Sequence, residues 1–510
     1  MSPARLVSTV LSRAPLGLAA PLVRVEVHLG SGLPAFAIVG LPEAVVRESR
    51  ERVRAALLSA GFDFPVARIT VNLSPADLPK EGGRFDLPIA IGILTASGQL
   101  PASVLRGREF YGELSLSGAL RETRKLVPAL VAGARQGHEI IVPSANAPEA
   151  ALVAAETIFV AETLQSVCAA LRSARPLPRA AATRPKESEA PPPDLADVRG
   201  QFAAKRALEI AAAGEHGLLF VGPPGAGKTL LAQTLAGLLP PLTADEALEV
   251  ACLESAAGRR PRASPHRPFR SPQHTASVAA LIGGGGGGGF RPGELSRAHR
   301  GVLFLDELPE FPRNALEALR EPLESGVVRL GRAQRSQEFP ACFQLIGAMN
   351  PCPCGHQGEA RGRCRCTAQQ VDRYRNRISG PLMDRIDIHL ELAAVAPDQL
   401  LDADAPAETS ATVAARVAMA RRRQLERQGK LNARLAPRET RAHCALDAES
   451  RRLLATAIER LGLSARAYER ILKLARTLAD LGGYVDIGAA QVAEAVRLRA
   501  LDRAAPAATR

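Results

Sequence analysis

Hydrophobic positions recur along the chain with two different periods. Leu22 to Leu29 alternates apolar and polar residues, as a half-buried strand does, and Arg68 to Leu73 reads as a second strand. Between them, Glu43 to Ala60 sets Val45, Val46, Val53, Ala56 and Leu57 at helical spacing. Asp86 to Leu94 is apolar enough for a buried helix, and Glu139 to Pro143 and Thr157 to Val160 add short strands. These elements predict a separate α/β domain over residues 1–172. Residues 173–195 lose all apolar period and carry Pro176, Pro178, Pro185 and the triplet Pro191-Pro192-Pro193, which predicts a semi-extended linker.

Beyond the linker the apolar runs become continuous. A helix over Ala203 to Ala213 precedes Leu218 to Val221, a run that reads as a buried strand, and a further helix opens at Leu230. Val302 to Leu305 and Leu345 to Met349 repeat the strand signal, with a helix over Asn314 to Leu323 between them. After Ala405-Pro406 the pattern is helical: Ala411 to Gln428, Ala448 to Leu461, Ser464 to Leu481 and Ala489 to Leu501. In the third of these Tyr468, Ile471, Leu472, Ala475 and Leu478 form one apolar stripe, which reads as core. The expectation is an α/β core over 196–400 and a helical domain over 401–510. No internal repeat emerges.

Composition narrows the class. The chain has 510 residues, 46% of them hydrophobic, enough for sizeable cores, yet it has no tryptophan, so those cores rest on Ala, Leu, Val and Ile. A net charge of +13 suits a polyanionic partner, although an arginine-rich background gives the same bias. No apolar run reaches membrane-span length, and Met1 to Ala20 lacks the apolar stretch of a secretory signal. Four cysteines crowd into one short segment while Cys168, Cys252, Cys342 and Cys444 are scattered, which is no disulfide framework. A reducing cytoplasm is the consistent compartment.

The chemistry centres on Gly222-Pro223-Pro224-Gly225-Ala226-Gly227-Lys228-Thr229, placed between the strand and helix just described. This order is that of a phosphate-binding loop: glycines let backbone N–H groups curl around a phosphate, Lys228 supplies a point charge and the Thr229 hydroxyl can ligate Mg²⁺. Asp306 and Glu307 follow the Val302 to Leu305 run, at the carboxyl end of a strand, where open α/β sheets bind ligands. Asp306 is placed to hold magnesium and Glu307 to polarise an attacking water. The pair of motifs points to hydrolysis of a nucleoside triphosphate such as ATP.

Three further segments carry signals. Val327 to Arg332 and Phe339 to Phe343 bracket a polar tip, Ala333 to Glu338, and predict a hairpin bearing Arg329, Arg332 and Arg335, either solvated or facing a central pore. Cys352, Cys354, Cys364 and Cys366 form C-x-C, nine residues, C-x-C, a set of thiols that suits tetrahedral Zn²⁺. Gly283 to Gly289 is a run of seven glycines whose ordering entropy predicts a mobile loop or a low-complexity expansion. His274, nearby, reads as a histidine bonded to neighbouring backbone rather than a ligand.

Two family resemblances follow. Pro79 to Asp86 and Gly112 to Gly118 resemble the serine–lysine peptidase domain of Lon-type proteases, but Arg84 and Val127 occupy the two dyad positions. The likeness therefore implies that fold in a binding or assembly role, without the peptidase chemistry. Gly222 to Thr229, Pro268 to Ser277, Gly301 to Phe311, Met349 to Gly355, Arg377 to Asp387 and Leu463 to Leu481 resemble the magnesium-chelatase-like AAA+ ATPases, and within them the type that serves natural competence. That likeness implies a P-loop AAA+ core with a carboxyl-terminal helical lid, working as a hexamer on single-stranded or branched DNA. It assigns Val198 and Gln201 to the adenine, Asn350 to the first sensor and Arg466 to the second. Arg385, with Arg377 as the alternative, becomes the finger that reaches a neighbour's γ-phosphate. The chain has Pro272-Gln273-His274-Thr275 where the family has a second histidine, and its glycine run is longer. A metal-chelatase motor is the competing reading. An ATP-dependent protease would need the missing dyad.

Overall fold

The computed structural model describes residues 7–153, 155–173, 176–180, 191–262, 264–286, 289–332, 335–358, 362–394, 407–499 and 501. Two sheets organise them. The first has seven strands in the order Ala35–Val39, Arg68–Ser74, Leu22–Gly30, Val7–Arg13, Arg108–Phe110, Glu139–Pro143 and Ile158–Ala161. Pairing around Leu22–Gly30 is antiparallel, and from Val7–Arg13 to Ile158–Ala161 it is parallel. Helix Asp86–Ala96 is buried along its whole length, as its apolar run predicts. Val7–Arg13 is a strand that hydrophobic patterning missed, because its inward face carries Ser8, Val10 and Ser12. Ser8 is satisfied by donating to the Gly92 carbonyl at 2.7 Å.

The linker differs from expectation at both ends. The Val160 N–H donates to the Pro178 carbonyl at 2.9 Å and the Ala180 N–H to that of Ile158 at 3.2 Å, so residues 178–180 extend the sheet edge. At the other end, the Leu195 N–H donates to Ser410 Oγ at 2.7 Å.

The second sheet is wholly parallel, in the order Phe269–Arg270, Val302–Leu305, Gln344–Met349, Leu218–Val221 and Ile388–Glu391. The three central strands are buried residue by residue, which is why they read as unbroken apolar runs. The helix expected over Asn314 to Leu323 is broken into Arg313–Glu317 and Arg320–Ser325. Pro322 explains the break, since its ring supplies no N–H for the carbonyl of Ala318 and crowds it.

Two expectations about loops are corrected. Gly283–Gly286 pairs antiparallel with Gly289–Pro292, so most of the glycine run is a hairpin rather than a loose loop, with 287–288 outside the described residues. Buried Leu281 and Leu295 anchor its two ends, which offsets the entropy of ordering it. The basic hairpin is longer than predicted: Val327–Arg332 pairs with Arg335–Pro340, so the strand begins inside the expected polar tip. Register explains this, because Phe339 opposite Val328 carries pairing down to Arg332 opposite Arg335, with 333–334 outside the described residues.

The carboxyl-terminal helices are Ser410–Gln428, Pro437–His443, Ala448–Leu461, Ala465–Gly482 and Ala489–Arg497. Thr409, Asp447 and Ser464 cap three of them at the start and glycines end them, at Gly429, Gly462 and Gly483. Ile471, Leu472, Ala475 and Leu478 are buried as expected, but Tyr468 at the stripe's edge is 39% exposed. These helices share one core with Leu218, Phe220, Ile346 and Ile388 of the sheet. Among the described residues no helix is long and apolar enough to cross a membrane.

Asp387 fastens this helical region to the sheet. Its carboxylate pairs with Arg470 at 2.7 Å and with His216 Nδ1 at 3.0 Å, and accepts from the Gly217 N–H at 3.2 Å. Burial opposes its charge, yet Arg470 and His216 hold its pKa below the ordinary carboxylate range. A depressed carboxyl stabilises the fold above its unfolded pKa, and that contribution is lost only as pH falls through the folded value. Asp387→Ala should therefore destabilise the second sheet and its helical region at neutral pH by about 3 kcal/mol, as removal of one partner of a buried pair does. Denaturant unfolding followed by circular dichroism checks this, since the chain has no tryptophan to report by fluorescence.

Candidate functional site

The site lies at the carboxyl edge of the second sheet. Val221 stands opposite Met349 in the parallel register, so Gly222 and Asn350 leave their strands side by side. Gly227 adopts φ 82, a left-handed turn that L side chains rarely enter, and helix Lys228–Leu238 begins immediately after it. The helix start and the loop's N–H groups together make an anion-binding mouth.

Side chains converge on this mouth. The Lys228 ammonium donates to the carbonyls of Gly222 at 2.6 Å and Pro223 at 3.0 Å, and to Asn350 Oδ1 at 3.0 Å. Burial draws its pKa below the ordinary lysine value, while the Asp306 and Glu307 carboxylates pull the other way. Thr229 Oγ1 donates to Asp306 Oδ2 at 2.9 Å. A hydroxyl and a carboxylate this close, beside a lysine and open backbone N–H groups, fit a hard cation carrying phosphate oxygens. The chemistry of the donor set thus fits Mg²⁺ held by Thr229 and Asp306.

Glu307 sits in a left-handed conformation, φ 52, directly after the strand. Its carboxylate reaches His274 Nδ1 at 3.2 Å, so His274 bonds a side chain of the site rather than neighbouring backbone. Patterning gave no signal for that pairing, because it depends on how the segment after Phe269–Arg270 folds over the sheet edge. Tyr374 was also missed: it is buried beside Asn350, and burial raises its hydroxyl pKa to about 12 against the opposing effect of the Asn350 backbone.

The remaining predicted residues are distributed around this centre. Val198 is buried, and Gln201 Nε2 donates to the carbonyls of Ala226 at 3.2 Å and Ala393 at 2.9 Å, which places it against the loop. Arg385 turns away from the centre, donating to the Pro381 carbonyl at 2.5 Å and pairing with Glu324. Arg377 is more exposed and pairs with Glu310 at 2.6 Å. Arg466 pairs with Asp384 at 3.5 Å. In the basic hairpin Val328 and Leu330 face the core, and Arg329 faces out between Glu321 at 2.9 Å and Glu338 at 2.7 Å. The side chains of Arg332 and Arg335 and the turn at 333–334 lie outside the described residues.

The four clustered cysteines do come together. Cys352 Sγ lies 3.4 Å from Cys354 Sγ and 3.7 Å from Cys364 Sγ, and all four sulfurs lie within 4.8 Å of one another. The His356 and Arg365 backbone N–H groups hold the Cys354 thiol down to about 6.

Comparison with known proteins fits this geometry. The family described as magnesium chelatase, subunit ChlI, matches residues 194–400, with companion matches at 25–146 for subunit ChlI of Mg-chelatase and 407–499 for its carboxyl-terminal region. The competence protein ComM of Haemophilus influenzae is 49% identical over 501 residues, covering 97% of each chain. The chain belongs to the magnesium chelatase subunit ChlI family. Within this family, the uncharacterized protein YifB of Salmonella typhimurium is also 49% identical over 497 residues, again covering 97% of each chain. The magnesium-chelatase 38 kDa subunit of Rhodobacter capsulatus is 27% identical over 224 residues, covering 41% of this chain and 61% of that one.

The contact between His274 and Glu307 makes a checkable claim. His274→Ala should lower the turnover number for ATP about tenfold and leave nucleotide affinity unchanged, because only the aim of the carboxylate is lost. Steady-state kinetics with a separate nucleotide titration reads both quantities. An equal loss in the two would assign His274 to general packing instead.

Proposed function

We propose that the chain is an ATP-hydrolysing motor, assembled as a hexamer, that moves single-stranded or branched DNA while homologous DNA is being integrated. The observation that carries the reading is the convergence of Lys228, Thr229, Asp306, Glu307 and Asn350 at one sheet edge. In this reading Gly222, Pro223, Pro224, Gly225, Ala226 and Gly227 wrap the phosphates, with Lys228 on the β- and γ-phosphates and Val198 and Gln201 at the base. Thr229 and Asp306 would hold Mg²⁺, which would supply charge neutralisation on the phosphate oxygens. Glu307, aimed by His274, polarises the attacking water, and Asn350 orients it.

The same reading takes Arg385 as a finger acting on the neighbouring subunit. Its partner Glu324 is 60% exposed, so the arginine can leave it when a neighbour docks. Arg466 reaches the nucleotide from the helical region, residues 401–510, when that region closes over 196–400. Residues 1–172 keep a peptidase-like fold for assembly. Arg84, buried where a serine would attack, donates to the carbonyls of Arg13, Arg124 and Lys125, and the linker 173–195 joins this domain to the motor.

The DNA arm draws on the outward Arg329, the net charge of +13 and the ComM relative aligned along 97% of the chain. A metal-chelatase motor is less well supported, since relatives named as magnesium-chelatase subunits align with only 41% of it.

Two measurements test this. Glu307→Gln should keep ATP binding and lose turnover by about 10³-fold; near-normal turnover would remove Glu307 from its role. Replacing Arg329, Arg332 and Arg335 together with alanine should abolish stimulation of ATPase activity by forked DNA. The salt slope of DNA binding should fall by about three, one per lost phosphate contact, alike for unrelated sequences. Unchanged slope and stimulation would place the DNA elsewhere, with Arg259, Arg260 and Arg262 next to examine.

A further inference from the structure

Asn350, which holds the Lys228 ammonium, is followed at once by Pro351-Cys352-Pro353-Cys354-Gly355. The three short sulfur–sulfur separations among Cys352, Cys354 and Cys364 are 3.4, 3.7 and 3.6 Å. Four thiolates about 2.3 Å from one zinc ion stand about 3.8 Å apart along the edges of a tetrahedron. A disulfide would instead bring two sulfurs to about 2.05 Å, and all four cysteines are free. Backbone N–H groups also point at the sulfurs: those of His356 and Arg365 at Cys354, that of Cys366 at Cys364, and that of Cys354 at Cys366.

The cluster is wedged against the phosphate loop. Gly355 has φ 82, and a Cβ there would lie 2.7 Å from Pro224 Cδ, so the backbone packs directly on the loop that contains Lys228. On its far side, Cys366 is followed by Thr367, whose hydroxyl caps helix Ala368–Arg375. That helix carries Tyr374, packed beside Asn350, and Arg375, which donates to the Pro351 carbonyl at 3.4 Å and to Gln357 at 3.3 Å. The segment leading to Arg377 and Arg385 begins where the helix ends. One knot of sulfur therefore joins the end of the Gln344–Met349 strand, the phosphate loop and the helix that precedes both finger candidates.

We propose that Cys352, Cys354, Cys364 and Cys366 hold one structural zinc ion, and that this ion braces the phosphate loop through Gly355 and Pro224. The four-thiolate set leaves no open position, so the ion performs no chemistry of its own. Its effect is on geometry: without it the loop after Asn350 is free to relax, and the amide that fixes Lys228 loses its support.

Elemental analysis of the full chain, purified without chelator, should give about one zinc per chain. Cobalt grown into the same sites should show the absorption of a tetrahedral thiolate complex. Cys364→Ser should lose most of the metal and weaken binding of a fluorescent ATP analogue by about tenfold, the scale of one lost charge-assisted contact. Should Cys364→Ser fail to fold, an organomercurial titration of the wild-type chain replaces it. Zinc release into a metallochromic dye should then track modification of four thiols, and nucleotide affinity should fall in step. Metal-free protein with all four thiols titratable would overturn the site. Stoichiometric zinc whose release leaves nucleotide affinity unchanged would overturn the brace. The brace rests on the nucleotide-site reading but the zinc count does not, so a zinc-loaded chain unable to bind any nucleotide would refute that reading alone.

Discussion

The ammonium of Lys228 is the group around which the rest of the candidate site is arranged. It is half-buried and bound by three oxygens, two from its own loop and one from Asn350 on the neighbouring strand. That third contact exists only because Leu218–Val221 and Gln344–Met349 run parallel in one register, with Val221 opposite Met349. A slip of one residue would carry the amide about 3.3 Å along the strand and turn it to the other face of the sheet. The register in turn is held by side chains buried on both faces of those strands. Hydrophobic packing thus sets the position of a single polar atom, and the polar atom sets the lysine.

The helical region is tied to the same sheet by charge as well as by core. Asp387 precedes the edge strand Ile388–Glu391 and binds Arg470 of the Ala465–Gly482 helix. His216, which precedes the Leu218–Val221 strand, connects Asp387 to Thr477 on that helix at 2.8 Å. Thr477 and Asp480 are linked in turn through Asn432, and Arg427 pairs with Asp480 at 2.6 Å. Any rotation of the helices against the sheet must strain this chain of bonds, so Arg466 on the same helix cannot move independently of the strand that flanks the phosphate loop. Coupling between the helical region and the sheet edge would pass through these buried groups.

What the sequence disclosed and what it concealed differ by one physical rule. Contiguous signals were legible: the glycine-rich loop, the buried strands of the second sheet, and the helices capped by Thr409, Asp447 and Ser464. Patterning failed wherever polar groups face inward with partners distant in sequence. Val7–Arg13 went unread because Ser8, Ser12 and Arg13 are buried, the last paired with Glu109 at 2.8 Å. Asp387 and His216 were hidden for the same reason, while the more exposed His274 was hidden because its partner Glu307 lies on another element. Hydrophobic periodicity records which side chains leave water, not which polar groups find each other once inside.

The amino-terminal residues make their own contacts with the elements around the second sheet. Where the peptidase likeness would put a lysine, Val127 opens helix Val127–Arg135, and its backbone N–H donates to Ser255 Oγ at 3.2 Å on the Ala244–Ala256 helix. Leu18, on the loop after Val7–Arg13, packs into the core that also contains Val328, Leu330 and Phe339 of the basic hairpin. Gly17 approaches Gln337 of that hairpin so closely that a Cβ would lie 2.6 Å from its amide nitrogen. Arg84 is buried between these elements, donating to the carbonyls of Arg13, Arg124 and Lys125. The base of the hairpin is thus held from the amino-terminal side, by Leu18 in the shared core and by Gly17 against Gln337, while Arg329 stays outward.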